Sequence, residues 1–318
     1  MYESIATLAQ RAAQEWMLQN FNLDWITVCN ESHSGERVCA LVDRDHPLLL
    51  DNYSNERTSS QIASPKSMRT ITKPILLVLT GRGKVRAGIF SRHHLLTAGI
   101  EVGTSWHCIR EARSRKWGVA IIDPNACGEE RGYEIFRRSV GHLFGYDLHL
   151  ANEGESPASM DNGHTGSLHS SAPLFVLAHS ASGGHLVRHL REDPSLLSSI
   201  RAVAFTDSTH NVQWCKHNPT LLEFLQQNNC VYLRSNNVRS SQSCVRVSSR
   251  GKDIWCNCVP CNTNKKSAGV EADTDGFWKH RFGSVKTYWA GTADHSLTNW
   301  FGHANIWDHF DKHAAAVI

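Results

Sequence analysis

Apolar positions along the chain follow two rhythms. Over the first twenty residues Ile5, Leu8, Ala12 and Trp16, joined by Ala9 and Met17, recur at three- and four-residue steps, which predicts a helix with one apolar stripe. Two short strands are expected next, Asp24–Cys29 and Arg37–Asp43, with the polar Glu31-Ser32-His33-Ser34-Gly35 as their hairpin loop. Residues 51–67, rich in serine, asparagine and charge, read as a surface connection. Beyond them, short uninterrupted apolar runs take over: PILLVLTG (Pro74–Gly81), WGVAIIDP (Trp117–Pro124), PLFVLAHS (Pro173–Ser180), IRAVAFTDS (Ile200–Ser208), CVYLR (Cys230–Arg234) and VKTYWAG (Val285–Gly291). Such runs belong to strands buried on both faces.

Helical segments fit between them at 104–116, 183–191, 220–227 and 300–313. Buried strands alternating with helices imply an α/β fold, a mostly parallel sheet with helices on both faces. The N-terminal pair brings the sheet to about eight strands. Two polar insertions, near 153–171 and 235–276, interrupt the series, and no internal repeat is visible. One domain over 1–318 is the expectation.

Composition narrows the function classes. With 41% apolar residues in 318, the chain has the material for a large core, and a mainly disordered protein is excluded. The longest aliphatic run, Ile75–Leu79, is far too short to cross a bilayer, so no membrane partner is expected. A net charge of +3, from 33 basic against 30 acidic residues, gives no global electrostatic case for nucleic acid. The start Met1-Tyr2-Glu3-Ser4 lacks the basic and apolar stretches of a secretory signal. The 10 cysteines therefore read as reduced thiols in the cytosol or nucleus. The 19 histidines lie mostly singly, and neither a metal nor a cofactor is expected.

Ligands and catalytic groups gather at the carboxyl edge of a parallel sheet, and four of these strand ends carry suggestive residues. PLFVLAH runs into Ser180, followed by Ala181, Ser182, Gly183, Gly184 and a helix. A nucleophilic serine on so tight a strand-to-helix turn needs small neighbours, and the helix directs its N-terminal amides at developing negative charge. Ala178 and Ser182 stand where Gly-x-Ser-x-Gly has glycines, which leaves Ser182 as an alternative nucleophile. A small-residue turn of this kind also serves packing alone. Thr80-Gly81-Arg82-Gly83 follows the first buried strand; amides at Gly81 and Arg82, with that of Ala181, suit an oxyanion site. Asp207 ends a later strand and His295 follows the last. The order Ser180, Asp207, His295 is that of serine, acid and histidine in α/β-hydrolases, where the acid orients the imidazole that takes the serine proton. Asp253, Asp273 and Asp275 compete for the acid role, and Asp294 adjoins His295.

At these residues the chain resembles the argonaute-binding-protein-2 family. The likeness is carried by Gly81-Arg82-Gly83-Lys84-Val85-Arg86-Ala87-Gly88, Asp123-Pro124-Asn125, Ala178-His179-Ser180, Thr206-Asp207-Ser208-Thr209-His210-Asn211, Ala290-Gly291-Thr292, Asp294-His295 and Leu297-Thr298. The resemblance implies an α/β-hydrolase-like fold used in small-RNA-guided chromatin silencing or in coupling chromatin to transcription and splicing, Argonaute or chromatin-associated partners, and a nuclear address; the reduced thiols leave nucleus, cytoplasm or both open. It carries the serine, acid and histidine positions to Ser180, Asp207 and His295. Thr80 departs from the histidine common before the glycine loop, and Ala181-Ser182-Gly183-Gly184 is one residue longer than the usual turn.

Three readings follow. The first is a regulator built on a serine-hydrolase-like domain. The second is a working esterase or amidase on a small acyl substrate. The third is a nucleic-acid-binding module, resting on Arg239, Arg246, Arg250 and Lys252, a loop that reads more simply as a solvated insertion. Cys256, Cys258 and Cys261, with Cys244, form a thiol cluster whose spacing departs from the separated pairs of structural zinc. Arg82, Lys84 and Arg86 either receive an anionic substrate or keep the rim soluble. Trp289 and Trp300 are expected to pack beside the histidine loop.

Overall fold

Strands that are apolar on both sides can pair only where both faces of the sheet are covered. The computed structural model describes residues 1–30, 37–45, 73–144, 172–235, 268–269, 271–272, 274 and 276–315. In it the apolar runs become β3 (Ile75–Leu79), β4 (Gly118–Ile122), β5 (Leu174–His179), β6 (Ile200–Thr206), β7 (Cys230–Arg234) and β8 (Lys286–Trp289), preceded by β1 (Leu23–Asn30) and β2 (Arg37–Asp43). All eight join one sheet in the order β1-β2-β4-β3-β5-β6-β7-β8. β2 runs antiparallel to both its neighbours, and the other pairs are parallel. This order, with its reversed second strand, is that of an α/β-hydrolase-like fold.

Alternation along the strands divides the core into two layers. Ile75, Leu77 and Leu79 of β3, with Val176, Ala178, Val203 and Phe205, face one way. There they meet Phe136 and Val140 from the helix Gly132–Phe144, Leu186 and Leu190 from Ala181–Glu192, and Leu221 and Leu225 from Pro219–Gln226. Leu76 and Val78, with Phe175, Leu177 and Leu233, face the other way. They pack on Met17, on Ile109 from the helix Trp106–Ser114, and on Trp307 and Phe310 from His303–Ala314. Trp117 stacks on Phe175 with ring centroids 4.2 Å apart, closing that layer.

The structure corrects the reading of the first helix, Tyr2–Phe21. Its buried side is Ala6, Gln10, Ala13, Gln14 and Met17. The stripe of Ile5, Leu8, Ala12 and Trp16 faces outward, with Leu8 63% exposed. The physical reason is polar. Gln10 and Gln14 turn inward because their amides bond the backbone of the glycine loop: Gln10 to Lys84 O (3.2 Å) and Arg86 N (3.1 Å), and Gln14 to Ala87 O (3.0 Å). The alanines let the helix lie close enough for those contacts.

Four further helices among the described residues escaped the apolar rhythm, two of them the short Arg92–Thr97 and Ile100–Gly103. Gly132–Phe144 buries Ile135, Phe136, Ser139, Val140, Leu143 and Phe144 at helical spacing, and Gly276–Phe282 closes what had read as an insertion. The terminal helix is broken at Gly302 into Thr298–Phe301 and His303–Ala314. The loop at 31–35, the connection at 51–67, the thiol cluster and the basic loop lie outside the described residues, as do most of the two insertions. No described helix is long and apolar enough to cross a membrane.

Many histidines belong to the core. Burial lowers the pKa of His179 and His210 to about 3, and of His107, His185 and His309 to about 4, from the ordinary 6.5. Unfolding then takes up protons at these sites below pH 6.5. Their contribution is complete above that pH and is lost as the pH falls toward the folded values. Asp123 opposes this between its ordinary 3.8 and the value of about 6 to which burial raises it, but it is one group against five.

Two outcomes are expected from denaturant titrations. Met17→Ala should cost about 2–5 kcal/mol, whereas Leu8→Ser stays within about 0.5 kcal/mol of the wild type; comparable losses would contradict the helix orientation. The unfolding midpoint should fall between pH 7 and pH 5, and a midpoint that holds or rises would contradict the neutral core imidazoles.

Candidate active site

Ser180 sits at the N-cap of Ala181–Glu192 with φ 56° and ψ −127°, a backbone conformation that costs a non-glycine residue free energy. Neighbouring strands hold it there. Its amide donates to Thr206 O (3.0 Å), and its carbonyl accepts from Thr209 N (3.0 Å) and Gly183 N (3.2 Å). Gly81 comes so close that a Cβ built on it would lie 2.9 Å from Ser180 Cβ. Gly183 is held tighter still, its added Cβ falling 1.9 Å from Ser208 Oγ. The elbow is therefore a junction of three strand ends, β3, β5 and β6, and only absent side chains let them meet.

Ser182, the alternative nucleophile, is fully buried and its hydroxyl donates to the Thr80 carbonyl, so it faces the sheet edge and not the cleft. This bond fastens the elbow helix to the end of β3. Ala181 is the first residue of that helix, where an amide has no intrahelical acceptor.

Asp207 and His295 meet across 88 residues of sequence, with Nδ1 3.1 Å from Oδ2. The carboxylate can only accept, so Nδ1 carries the proton and Nε2 keeps its lone pair. The other carboxylate oxygen accepts from Ser235 N at 2.7 Å, and Asp207 itself takes a positive φ of 42°. Asp253, Asp273 and Asp275 lie outside the described residues.

His295 opens the short 3₁₀ turn His295–Leu297, capped by Asp294, which accepts from Ser296 N (2.9 Å) and Ser296 Oγ (2.7 Å). Buried His94 meets the same carboxylate, Nε2 to Oδ2, at 3.0 Å. Burial alone would raise the Asp294 pKa. The hydrogen bonds from His94 and Ser296 outweigh it and hold the carboxyl below its ordinary value. Under His295 lies His179, ring centroids 4.7 Å apart. Its Nδ1 is 3.1 Å from Thr206 Oγ1, which donates to Asn299 Oδ1 at 2.7 Å; the threonine hydroxyl therefore accepts from His179. Among the described residues no hydrogen bond joins Ser180 Oγ to the His295 imidazole.

Of the sequence candidates, the structure brings Ser180, Gly81, Arg82 and Ala181 to one end of the sheet and pairs Asp207 with His295 beside them. It gives the basic residues of the glycine loop partners: Arg82 bonds Glu130 (2.8 Å), Lys84 bonds Glu3 (3.3 Å) and Arg86 bonds Asn125 O (2.8 Å). That set is engaged before any anion arrives. Trp289 is buried, with the Arg234 guanidinium 4.6 Å from its ring centroid, and Trp300 packs edge-on to His107. Sequence reasoning missed His179, Thr206, Asn299, His94 and Asn125 as parts of the site. His179, Thr206 and Asn125 lay inside quoted motifs, but no spacing rule signals a hydrogen-bond relay running from β5 to a residue near 299.

A family model of the Arb2 domain matches residues 44–238, more than half of the chain. The chain belongs to the Arb2-domain family. Among curated relatives of this Arb2-domain chain, the cotranscriptional regulator ARB2A homolog of Gallus gallus is 24% identical over 239 residues, covering 63% of this chain and 57% of that protein. Cotranscriptional regulator ARB2A of Mus musculus is 22% identical over 245 residues, covering 62% and 58%. The aligned part is thus somewhat over half the length of those relatives. Among solved structures, a histone deacetylase from Saccharomyces cerevisiae aligns over 98% of both chains with a TM-score of 0.48 and 11% identity.

The packing at the elbow makes a direct prediction. Gly183→Ala should destabilise the protein by about 1–3 kcal/mol through overpacking against Ser208. Gly276→Ala, where an added Cβ meets nothing within 4 Å, should stay within about 0.5 kcal/mol. Equal effects in urea titrations would refute the close approach.

Proposed function

We propose that this chain is a regulator of the cotranscriptional type for which its relatives are named. It acts with Argonaute or chromatin-associated partners, in the nucleus, through a serine-hydrolase-like domain competent for acyl transfer. The observation that carries the chemical half is the pairing of an Asp207–His295 dyad with a strained serine at one sheet edge. The family carries the regulatory half.

In this reading His295 Nε2 takes the Ser180 proton as Oγ attacks an acyl carbon. Asp207 holds the imidazole in the tautomer that leaves Nε2 basic and stabilises the cation that forms. The negative charge on the former carbonyl oxygen is met by the amides of Arg82 and Ala181, fixed in place before reaction. The imidazolium returns its proton to the leaving group, and water then releases the acyl group by the same steps reversed. The hydroxyl–imidazole contact closes as the site fills, since such bonds are often long in the empty state. Buried His179 stays neutral down to about pH 3, so the cation on His295 has no charged neighbour in the ring beneath it.

Labelling with a fluorophosphonate probe tests the chemistry. The wild type should label, Ser180→Ala should not, His295→Ala should label at least ~10³-fold more slowly, and Ser182→Ala should keep labelling. An unlabelled wild type, or a label that survives Ser180→Ala, would remove the hydrolase site. Co-purification with and without ribonuclease tests the regulatory half: Argonaute or chromatin proteins are expected, and recovery of metabolic enzymes alone would count against it.

A further inference from the structure

The Asp123-Pro124-Asn125 turn ends β4, beside the glycine loop but on the side away from Ser180. Asn125 is 5% exposed and spends its whole side-chain amide on that loop. Its Nδ2 donates to Gly81 O at 2.8 Å and to Val85 O at 3.1 Å, and its Oδ1 accepts from Gly83 N at 3.3 Å. The turn is itself tied down. Asp123 Oδ1 accepts from Asn125 N (3.0 Å), and Arg86 Nη1 donates to Asn125 O (2.8 Å) and Ala126 O (3.2 Å).

Strand order gives this clamp its meaning. β3 lies between β4 and β5, so the loop leaving β3 runs between Asn125 on one flank and Ser180 on the other. In a trans peptide the carbonyl and the amide N–H point in opposite directions. Turning the Gly81 carbonyl toward Asn125 turns the Arg82 N–H toward the Ser180 flank, and no described residue accepts from it. Gly81 itself lies against Ser180, its built Cβ 3.4 Å from Oγ, so the amide that follows is at the nucleophile. Without the Asn125 bonds, a loop carrying glycines at 81 and 83 has the freedom to rotate that peptide.

We infer that Asn125 is the positioning residue of the oxyanion site: its amide fixes the Gly81–Arg82 peptide so that the Arg82 N–H faces the acyl oxygen. The inference rests on the hydrolase reading above. It assigns Asn125 no contact with substrate and no proton transfer.

The test uses p-nitrophenyl acetate hydrolysis in the full chain, with active sites counted by fluorophosphonate titration. Asn125→Ala and the isosteric Asn125→Asp, which sets a carboxylate oxygen against two carbonyls, should lower kcat per titrated site by ~10–100-fold, below the loss of a whole oxyanion donor. KM should change little, and the pH midpoint of kcat should not move. A merely structural role would reduce the number of titratable sites and leave kcat per site alone. A second readout needs no variant. When phenylboronic acid forms its tetrahedral adduct on the wild-type serine, the Arg82 amide proton should shift downfield while that of Gly83, already bonded to Asn125, stays in place. A wild type that neither labels nor hydrolyses overturns the hydrolase reading and the inference together. A reactive wild type with unchanged kcat per site in both variants, or with an unmoved Arg82 amide, overturns the inference alone.

Discussion

The contact on which the rest depends is the meeting of β3, β5 and β6 around Ser180. The serine backbone is held in a left-handed conformation by hydrogen bonds to both ends of the Thr206–Thr209 segment, and Gly81 and Gly183 fill the space where side chains would collide. Strain of this kind persists only where the surroundings over-determine it. Here those surroundings are the parallel strands, which are rigid because each is packed on both faces. The same geometry exposes the serine hydroxyl at the top of the sheet and aims the elbow helix at it.

A buried polar layer supports the dyad. Within Thr206-Asp207-Ser208-Thr209-His210-Asn211 nearly every residue has a structural task. Thr206 links His179 to Asn299, Asp207 orients His295, Ser208 Oγ bonds His210 Nδ1 at 2.7 Å, Thr209 holds the Ser180 carbonyl, and Asn211 caps the following turn. Such a network specifies one arrangement because leaving any buried member unpaired is costly. His94 and Asp294 do similar work on the turn that carries His295. The segment 206–211 is therefore a scaffold that holds the Asp207–His295 pair in place.

Six strands were legible because burial on both faces leaves uninterrupted apolar runs, the N-terminal pair because a polar loop divides two short strand-like segments, and the strand ends placed Ser180, Asp207 and His295 in chain order. The first helix was misread because amphipathicity assumes that apolar residues face inward. There, two glutamines bonded to the glycine loop turned the helix and left Leu8 and Trp16 outside. The helix Gly132–Phe144 was missed although its apolar spacing is regular, its arginines and glycines having masked it. His94 and Asn299 left no sequence signal, and Asn125 stood in a quoted motif with nothing to show its task, since each acts through a partner 200, 93 or 44 residues away. Long-range polar contacts have no period to read.

The structure of the covalent adduct formed when a fluorophosphonate reacts with the wild-type protein tests the proposed site most directly. Phosphorus is expected on Ser180 Oγ, with the phosphoryl oxygen within hydrogen-bond reach of the Arg82 and Ala181 amides and the His295 imidazole adjacent, Asp207 still on its Nδ1. Phosphorus on any other residue, or a phosphoryl oxygen turned away from those amides toward solvent, would contradict it.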